Sequence, residues 1–420
     1  MLAQLTIAIV GLLGLMFIGL PIYVALLIMT FVIQTFIIGG SLVSVVAGLY
    51  DGIAKPSLLA VPFFVLAGNL IQTSSMGQRL VLMILRLLGG IRGAVPISCV
   101  LANGFFGAIS GSAPAATATI GKITYPALEK TYGEKMGLGL IASTGALSAI
   151  IPPSITMIIY GIATETSVGK LFLAGIIPGI IVMAALAVYA FIKRPLGEGS
   201  QVTQSGHNSP IQGIPVILFP VIVLGGIYAG FFTPTEAGAV AAGYAFVVPL
   251  LIYRDFTLEK IKDALIDSTR VTSQLFIIIA SSIVFAQALA MAQAPQMLTE
   301  TLGGMNPTLF LLMLNLILLI VGMIFEPGAA ILILGPIVAS IGTQLGIDPI
   351  HLGLIVCFNI AIGMFTPPFG LNLFVSQAVF RKPLEVISSS VWPFLAIYIA
   401  VLLLVTFVPV LSTWLPALIG

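Results

Sequence analysis

Apolar residues run along this chain in stretches of about 20, the length that crosses a bilayer, separated by short polar or glycine- and proline-rich segments. Spanning helices are predicted at 2–20, 22–40, 57–73, 136–163, 169–192, 212–230, 235–253, 271–292, 350–378 and 386–415. Two regions break this pattern. Each is a pair of apolar pieces joined at a turn: Ala94–Ser110 and Ser112–Thr131 around Gly111, then Pro307–Phe325 and Ala329–Leu345 around Glu326-Pro327-Gly328. At about 1.5 Å per residue these pieces fall at or just short of a ~30 Å hydrocarbon core, so re-entrant hairpins are predicted over 94–131 and 307–345. The spans 136–163 and 350–378 contain Pro152-Pro153 and Pro367-Pro368. Proline lacks a backbone donor and clashes with the preceding turn, so both are predicted to be broken helices. Segments 75–90 and 257–269 mix spaced apolar residues with charge and read as amphipathic helices on the membrane surface.

The two halves of the chain repeat this punctuation. Pro21 matches Pro234, Gly89-Gly90 matches Gly303-Gly304, Gly121 matches Gly335, Pro152-Pro153 matches Pro367-Pro368, and Pro178 matches Pro393, at offsets of 213, 214, 214, 215 and 215. Five matches in order at a nearly constant shift indicate duplication. The predicted units are residues 1–195, a polar linker at 196–213, and residues 214–420. Five crossings plus a non-crossing hairpin in each half place the second half upside down relative to the first, the inverted-repeat plan of many secondary transporters.

Charge adds an orientation. One face of this topology holds Arg79, Arg86, Arg92, Lys130, Lys135, Lys193, Arg194, Arg254, Lys260, Lys262, Arg270, Arg381 and Lys382, whereas the other holds only Lys55 and Lys170. The positive-inside rule makes the first face cytoplasmic, both termini periplasmic, and the first hairpin open to the cytoplasm. Residues 1–20 lack a basic start and a cleavage signature, so a retained first helix is expected.

Composition removes whole classes of function. The chain is 59% hydrophobic and 7% charged, with a mean hydropathy of +1.19, and its net charge of +2 offers no footprint for nucleic acid. Membrane lipid is its main solvent. Cys99 and Cys357 lie in apolar runs without redox or metal spacing, and His207 and His351 have no ligand partners at metal spacing. A phosphate loop at Gly111–Lys122 fails because Ala116 and Ile123 occupy required positions. No organic cofactor and no enzymatic activity are expected.

Chemistry is expected at four breaks: Ser110–Pro114, Ile151–Ser154, Phe325–Gly328 and Phe365–Pro368. Interrupted helices expose amides and carbonyls that persist inside a bilayer only where protein or a polar cavity satisfies them. Carbonyl ends suit a hard cation and amide ends suit an anion. Two Na⁺ sites are therefore predicted, one near Ser110, Ser112, Thr144 and Gly145, the other near Gly328, Gly363 and Thr366. Sodium is favoured over protons because every Asp falls in a loop. Candidate substrate ligands for one small anion are Ser112, Ala113, Pro153, Ser154, Thr156 and Asn372. Glu326 and Lys122 are the intramembrane ionisable residues: Glu326 carries protons, assists the cation or caps a half-helix, and Lys122 attracts an anion or pairs structurally. Thr233-Pro234-Thr235-Glu236 reads as a capping box that starts a helix.

At these residues the sequence resembles the large membrane (M) subunit of tripartite ATP-independent periplasmic (TRAP) transporters. The resemblance covers essentially the whole chain and rests on Leu59-Ala-Val-Pro-Phe-Phe-Val-Leu-Ala-Gly-Asn69, Ser110-Gly-Ser-Ala-Pro-Ala-Ala-Thr117, Ile151-Pro-Pro-Ser-Ile155, Gly225–Gly238 and Thr366-Pro-Pro-Phe-Gly-Leu-Asn-Leu373. It implies an all-α inverted-repeat elevator transporter of the bacterial inner membrane, driven by sodium. It also implies a separate small four-helix membrane subunit and a soluble periplasmic substrate-binding protein. Glu326-Pro327 and Gly370–Leu373 look closest to members carrying C4-dicarboxylates, with other carboxylates, sulfonates and sialic or other sugar acids as alternatives; Ala113 stands where serine is commoner. Two rival classes are a sodium or proton antiporter or symporter working without a binding protein, and an intramembrane serine protease using Ser112 and His351.

Overall fold

A computed structural model describes residues 10–12, 14–16, 18–193, 195, 210–294, 296–297 and 305–419. Among them every regular element is helical. Most of the predicted span 2–20, most of the linker 196–213 and the Gly303-Gly304 match lie outside the described residues.

The first half runs through α1 (Ile22–Val32), α2 (Leu42–Ile53), α3 (Ala60–Thr73), α4 (Met76–Leu88), α5 (Ala94–Ser110), α6 (Ala113–Tyr132), α7 (Glu134–Gly145), α8 (Ile155–Thr164) and α9 (Val168–Ile192). The second runs through α10 (Ile214–Tyr228), α11 (Pro234–Val247), α12 (Leu258–Met291), α13 (Pro307–Ile324), α14 (Pro327–Gln344), α15 (Pro349–Gly363), α16 (Leu371–Phe380), α17 (Leu384–Ser390), α18 (Trp392–Phe407) and α19 (Val410–Ile419). Helices α1 and α11 occupy matching places. Each continues into a six-residue π-helix, Ile33–Ile38 and Val248–Tyr253, and each stops on a left-handed residue, Gly39 at φ 69° and Arg254 at φ 55°.

Both hairpins fall where the sequence puts them. Gly111 turns the first at φ 59°, and Phe325 and Glu326 in extended conformation turn the second. Their packing differs: α5 and α6 lie against each other, whereas α13 packs mainly on α15, and α14 on α8, α12 and α15. Helix α4 is the expected amphipathic helix, burying Met76, Leu80, Val81 and Ile84. The capping box closes on α11, with Glu236 N donating to Thr233 Oγ1 at 3.3 Å and Thr233 N to Glu236 Oε2 at 2.8 Å.

Several boundaries differ from expectation. Segments 257–269 and 271–292 are one 34-residue helix, α12, because no glycine or proline interrupts them. At about 51 Å it overreaches a ~30 Å core, so its charged first turns stand beyond the membrane. The matching stretch of the first half is instead cut by Ala54-Lys55-Pro56 into α2, which has no counterpart among the predicted elements, and α3. The span 386–415 is a pair, α17 and α18, bent by 44°, followed by a separate α19 after Pro409. Among the described residues six helices are long and apolar enough to cross a membrane, or seven with the bent pair. Ten were expected: the breaks in 136–163 and 350–378, the short helices Ile22–Ile38 and Ile214–Tyr228 and the only partly described first span account for the difference, while both arms of the second hairpin reach 18 residues.

One large buried cluster runs from α3 through α18. A smaller cluster seats α1 on the end of α12 through Leu26, Met29, Phe285 and Leu289.

Candidate functional site

Seven half-helix ends converge on one cavity of about 170 Å³. Its walls include Ser110, Gly111 and Ser112 of the first hairpin tip, Ala149, Ile155 and Thr156 at the first broken helix, Glu326, Pro327 and Gly328 of the second tip, and Met364 and Leu371 at the second broken helix. Helix α3 closes the side with Val65, Gly68 and Asn69, and α12 with Val271 and Leu275. Amide ends arrive from α6, α8, α14 and α16; carbonyl ends arrive from α5, from the 3₁₀ turn Ala146–Ala149 and from α15.

These four amide ends are not equivalent. Glu326 caps α14, accepting from Ala329 N at 3.0 Å, so that half-helix already faces a carboxylate of its own. Ser112 caps α6 loosely, accepting from Ala115 N at 3.4 Å. Helices α8 and α16 have no side-chain cap. Ser154, at the cap position of α8, donates its hydroxyl to Ala149 O at 3.0 Å instead. Helix α8 therefore presents free amides and partial positive charge at the cavity, whereas the start of α16 is closed by backbone, Asn372 N donating to Met364 O at 2.8 Å and Leu373 N to Gly370 O at 2.9 Å.

Behind the tips, buried polar atoms lack partners. Thr117 Oγ1 is fully buried and unpaired, and a Cβ at Gly145 would collide with it. Asn103 donates to Thr144 Oγ1 at 3.0 Å and Asn359 to Asn315 Oδ1 at 2.7 Å, but the Oδ1 atoms of Asn103 and Asn359 stay unpaired. Oxygen acceptors left over between a hairpin and its broken helix fit a hard cation, whose preferred ligands are hydroxyl, amide and backbone oxygens.

The cavity thus gathers Ser110, Ser112, Ala113, Thr156, Glu326 and Gly328 of the predicted site residues. Pro153, Ser154, Thr144, Gly145, Gly363, Thr366 and Asn372 do not line it. Thr144 donates to Leu140 O at 2.7 Å and Thr366 to Ile362 O at 2.7 Å; Gly363 packs face to face with Gly322, where a Cβ would come 2.6 Å from Gly322 Cα. Asn372 donates to Ala142 O at 3.0 Å, with Oδ1 unpaired. Lys122 lines a neighbouring polar cavity. The residues not anticipated are Gly68 and Asn69 of α3, the orphan acceptors Thr117, Asn103 and Asn359, and Tyr398, which donates to Ser143 O at 2.7 Å.

A serine protease dyad is not formed. His351 Nδ1 pairs with Ser412 Oγ at 2.7 Å at the start of α15, and the cavity is reached 13 residues later at Met364, about 20 Å along the helix.

The profile described as "Tripartite ATP-independent periplasmic transporter, DctM component" matches residues 9–411. The chain is 42% identical over 371 residues to the C4-dicarboxylate TRAP transporter large permease protein DctM of Pseudomonas aeruginosa, covering 87% of each. It is 33% identical over 402 residues to the isethionate TRAP transporter permease protein DctMQ of Oleidesulfovibrio alaskensis, covering 93% of this chain and 63% of that longer one. Among solved structures it superposes on the Neisseria gonorrhoeae MtrF transporter with a TM-score of 0.66 at 12% identity, over 91% of this chain and 92% of that one, a likeness of fold. A multi-pass helical membrane chain whose hairpin tips and broken helices meet at one cavity, matched by this profile almost end to end, belongs to the DctM family: it is the large permease component of a TRAP transporter.

Proposed function

We propose that the chain carries a C4-dicarboxylate or similar small organic acid into the cell together with sodium. The carrying observation is the uncapped half-helix α8, whose free amides face the cavity on which the tips of both hairpins and the start of α16 converge. One carboxylate accepting from those amides satisfies donors that the breaks leave open. Sodium fits the opposite ends: the hydroxyl and carbonyl oxygens around Ser110, Thr117 and Gly145, and the matching set around Gly328, Gly363 and Thr366. A bound cation beside the anion lowers the cost of burying either charge, which is the physical basis of coupling.

The inverted-repeat organisation is supported by paired contacts. Gly107 of α5 crosses the first broken helix at Ser148, where a Cβ would come 2.8 Å from Ser148 Cα, and Gly322 of α13 crosses the second at Gly363; both partners shift by 215 residues. The charge orientation is supported by the linkage of the basic segments. Arg79 pairs with Gln212 and stacks on Tyr253 at 4.2 Å, Arg92 reaches Ile192 O at 3.4 Å, and Lys382 pairs with Glu129 at 3.0 Å and Glu134 at 2.9 Å. We take that side as cytoplasmic, with both termini periplasmic. In an elevator cycle the hairpins and broken helices slide against α3 and α12.

Few side chains in the cavity are able to read a large ligand, so recognition is delegated to a soluble periplasmic binding protein, and a small membrane subunit completes the complex. The test is uptake into proteoliposomes holding both membrane subunits. Sodium-dependent, sigmoidal uptake of succinate or a related acid is expected only when the cognate binding protein is added. Full uptake on a proton gradient alone rejects sodium coupling, and full uptake without any soluble protein rejects the tripartite mode.

A further inference from the structure

Beside the central cavity lies a second one of about 430 Å³, lined by Gln72, Thr73, Ser75, Gln78, Thr119 and Lys122 among others. The two share Asn69, which is held in place by donating to Ser268 Oγ at 2.9 Å. They also share one face of α6: Ser112 and Ala115 line the first, and Thr119 and Lys122, at the following turns, line the second. From Ser112 to Lys122 is ten residues, about 15 Å along the helix, too far for a four-carbon diacid held at the first cavity to touch Lys122. The second cavity is a separate place on a continuous track.

Its charges are unevenly committed. Among the described residues no carboxylate lies within ion-pair distance of the Lys122 ammonium, whereas the one acid in the wall, Asp267, is paired with Arg270 at 3.3 Å. The rest of the polar lining is neutral amides and hydroxyls: Thr73 and Ser74 already donate to the carbonyls of Leu70 and Ile71, while the side chains of Gln72, Gln78 and Thr119 remain able to donate. An uncommitted cation among neutral donors is a weak anion site, suited to a ligand in passage rather than one held.

We propose that this cavity is a transit subsite for carboxylate or sulfonate on the cytoplasmic side of the binding cavity, with Lys122 as its anion ligand. The proposal rests on the transport reading and its orientation. Deep burial of an acid at the α8 amides favours retention; a second, weaker cationic site one step outward lowers the barrier to release.

The experiment uses the full chain in inside-out membrane vesicles. Cysteine is introduced as Thr119→Cys, the native Cys99 and Cys357 being buried, and its modification by an anionic and a cationic methanethiosulfonate is timed. The anionic reagent is expected to react about fivefold faster, with succinate slowing it, and Lys122→Gln is expected to abolish both effects while Lys122→Arg keeps them. In proteoliposomes, Lys122→Gln is expected to raise the internal succinate needed to inhibit uptake about tenfold, the worth of one charge-assisted hydrogen bond. A reagent preference unchanged by Lys122→Gln overturns the subsite even where binding-protein-dependent uptake is present. Conversely, absence of such uptake with the preference intact defeats the transport reading and leaves the anion site standing.

Discussion

Replacing Gly68 by alanine adds one methyl group where α3 meets the tip of the first hairpin. The new Cβ would stand 2.8 Å from Ser110 O and 3.2 Å from Ser110 Cα, both backbone atoms with no side chain to swing aside. It needs roughly half an ångström of extra room. Overpacking of this kind costs about 1–3 kcal/mol, partly offset by the ~1 kcal/mol that alanine gains over glycine within a helix. If the hairpin slides along α3, the collision exists in this arrangement and not in the displaced one. The helix gain is common to both states and cancels. The equilibrium should therefore move away from the arrangement described here by about 1–3 kcal/mol, or 5- to 150-fold, with little loss of overall stability. An Ala115→Cys reporter on the cavity wall, labelled by an impermeant thiol reagent from either side, reads the shift directly. Labelling from the side that reaches Ala115 in this arrangement should slow, labelling from the opposite side should rise, and uptake should fall. Unchanged side preference with unchanged uptake refutes the sliding contact; a large fall in melting temperature with no change in preference refutes it in favour of a purely structural glycine.

Thr117→Val removes a buried hydroxyl oxygen that has no partner. Thermal stability should hold or rise while the sodium concentration for half-maximal uptake increases about tenfold, and an unchanged sodium dependence would remove Thr117 from the cation site. Glu326→Gln keeps an acceptor for Ala329 N, whereas Glu326→Ala loses it at a cost of about 1 kcal/mol, so only the alanine variant should lower the melting temperature; equal loss of uptake in both would mean that the negative charge itself is required. Glu129 is held below the ordinary carboxylate range by hydrogen bonds from Lys382 and then Tyr125, and Lys382 is raised by Glu134 and then Glu129. A depressed carboxylate stabilises above its ordinary value near ~4.3 and loses that contribution as pH falls through the depressed value; a raised lysine contributes below ~10.4 and loses it only on strongly alkaline titration. Lys382→Met should therefore lower the melting temperature only slightly at pH 7, solvent screening so exposed a pair, and the difference should shrink towards pH 3. A difference constant with pH refutes the ion-pair account.

Local chemistry was legible in the sequence wherever a break has a local cause. Pro152-Pro153, Pro367-Pro368, Glu326-Pro327-Gly328 and Ser110-Gly111-Ser112 interrupt their helices whatever packs around them, and all four fall at or beside the cavity. Helix α2 was missed because Leu42–Ile53, although apolar, is only 12 residues long, too short to register as a membrane span. Its match with the first third of α12 is the signal that would have found it. Thr117, Asn103 and Asn359 were hidden for a different reason. A polar residue within an apolar helix becomes a ligand candidate only once its neighbours across the interface are known and one of its atoms is left without a partner.

The breaks are local in origin but not self-sufficient. A helix interrupted inside a bilayer frees carbonyls that cannot be left to lipid. At the first broken helix, Ser143 O accepts from Tyr398 of α18 and Ala142 O from Asn372 of α16, both in the second half of the chain. Those side chains are fully buried and spend their donors on the other half's backbone. The α7 break is thus completed by residues more than 200 positions away, which ties the two broken helices into one body while leaving the amide end of α8 open. The two ends of the break are thus treated differently: carbonyls at its back are satisfied by protein and brace the unit, while the α8 amides at the cavity stay uncapped. A unit braced in this way is able to move as a whole without undoing the site it carries.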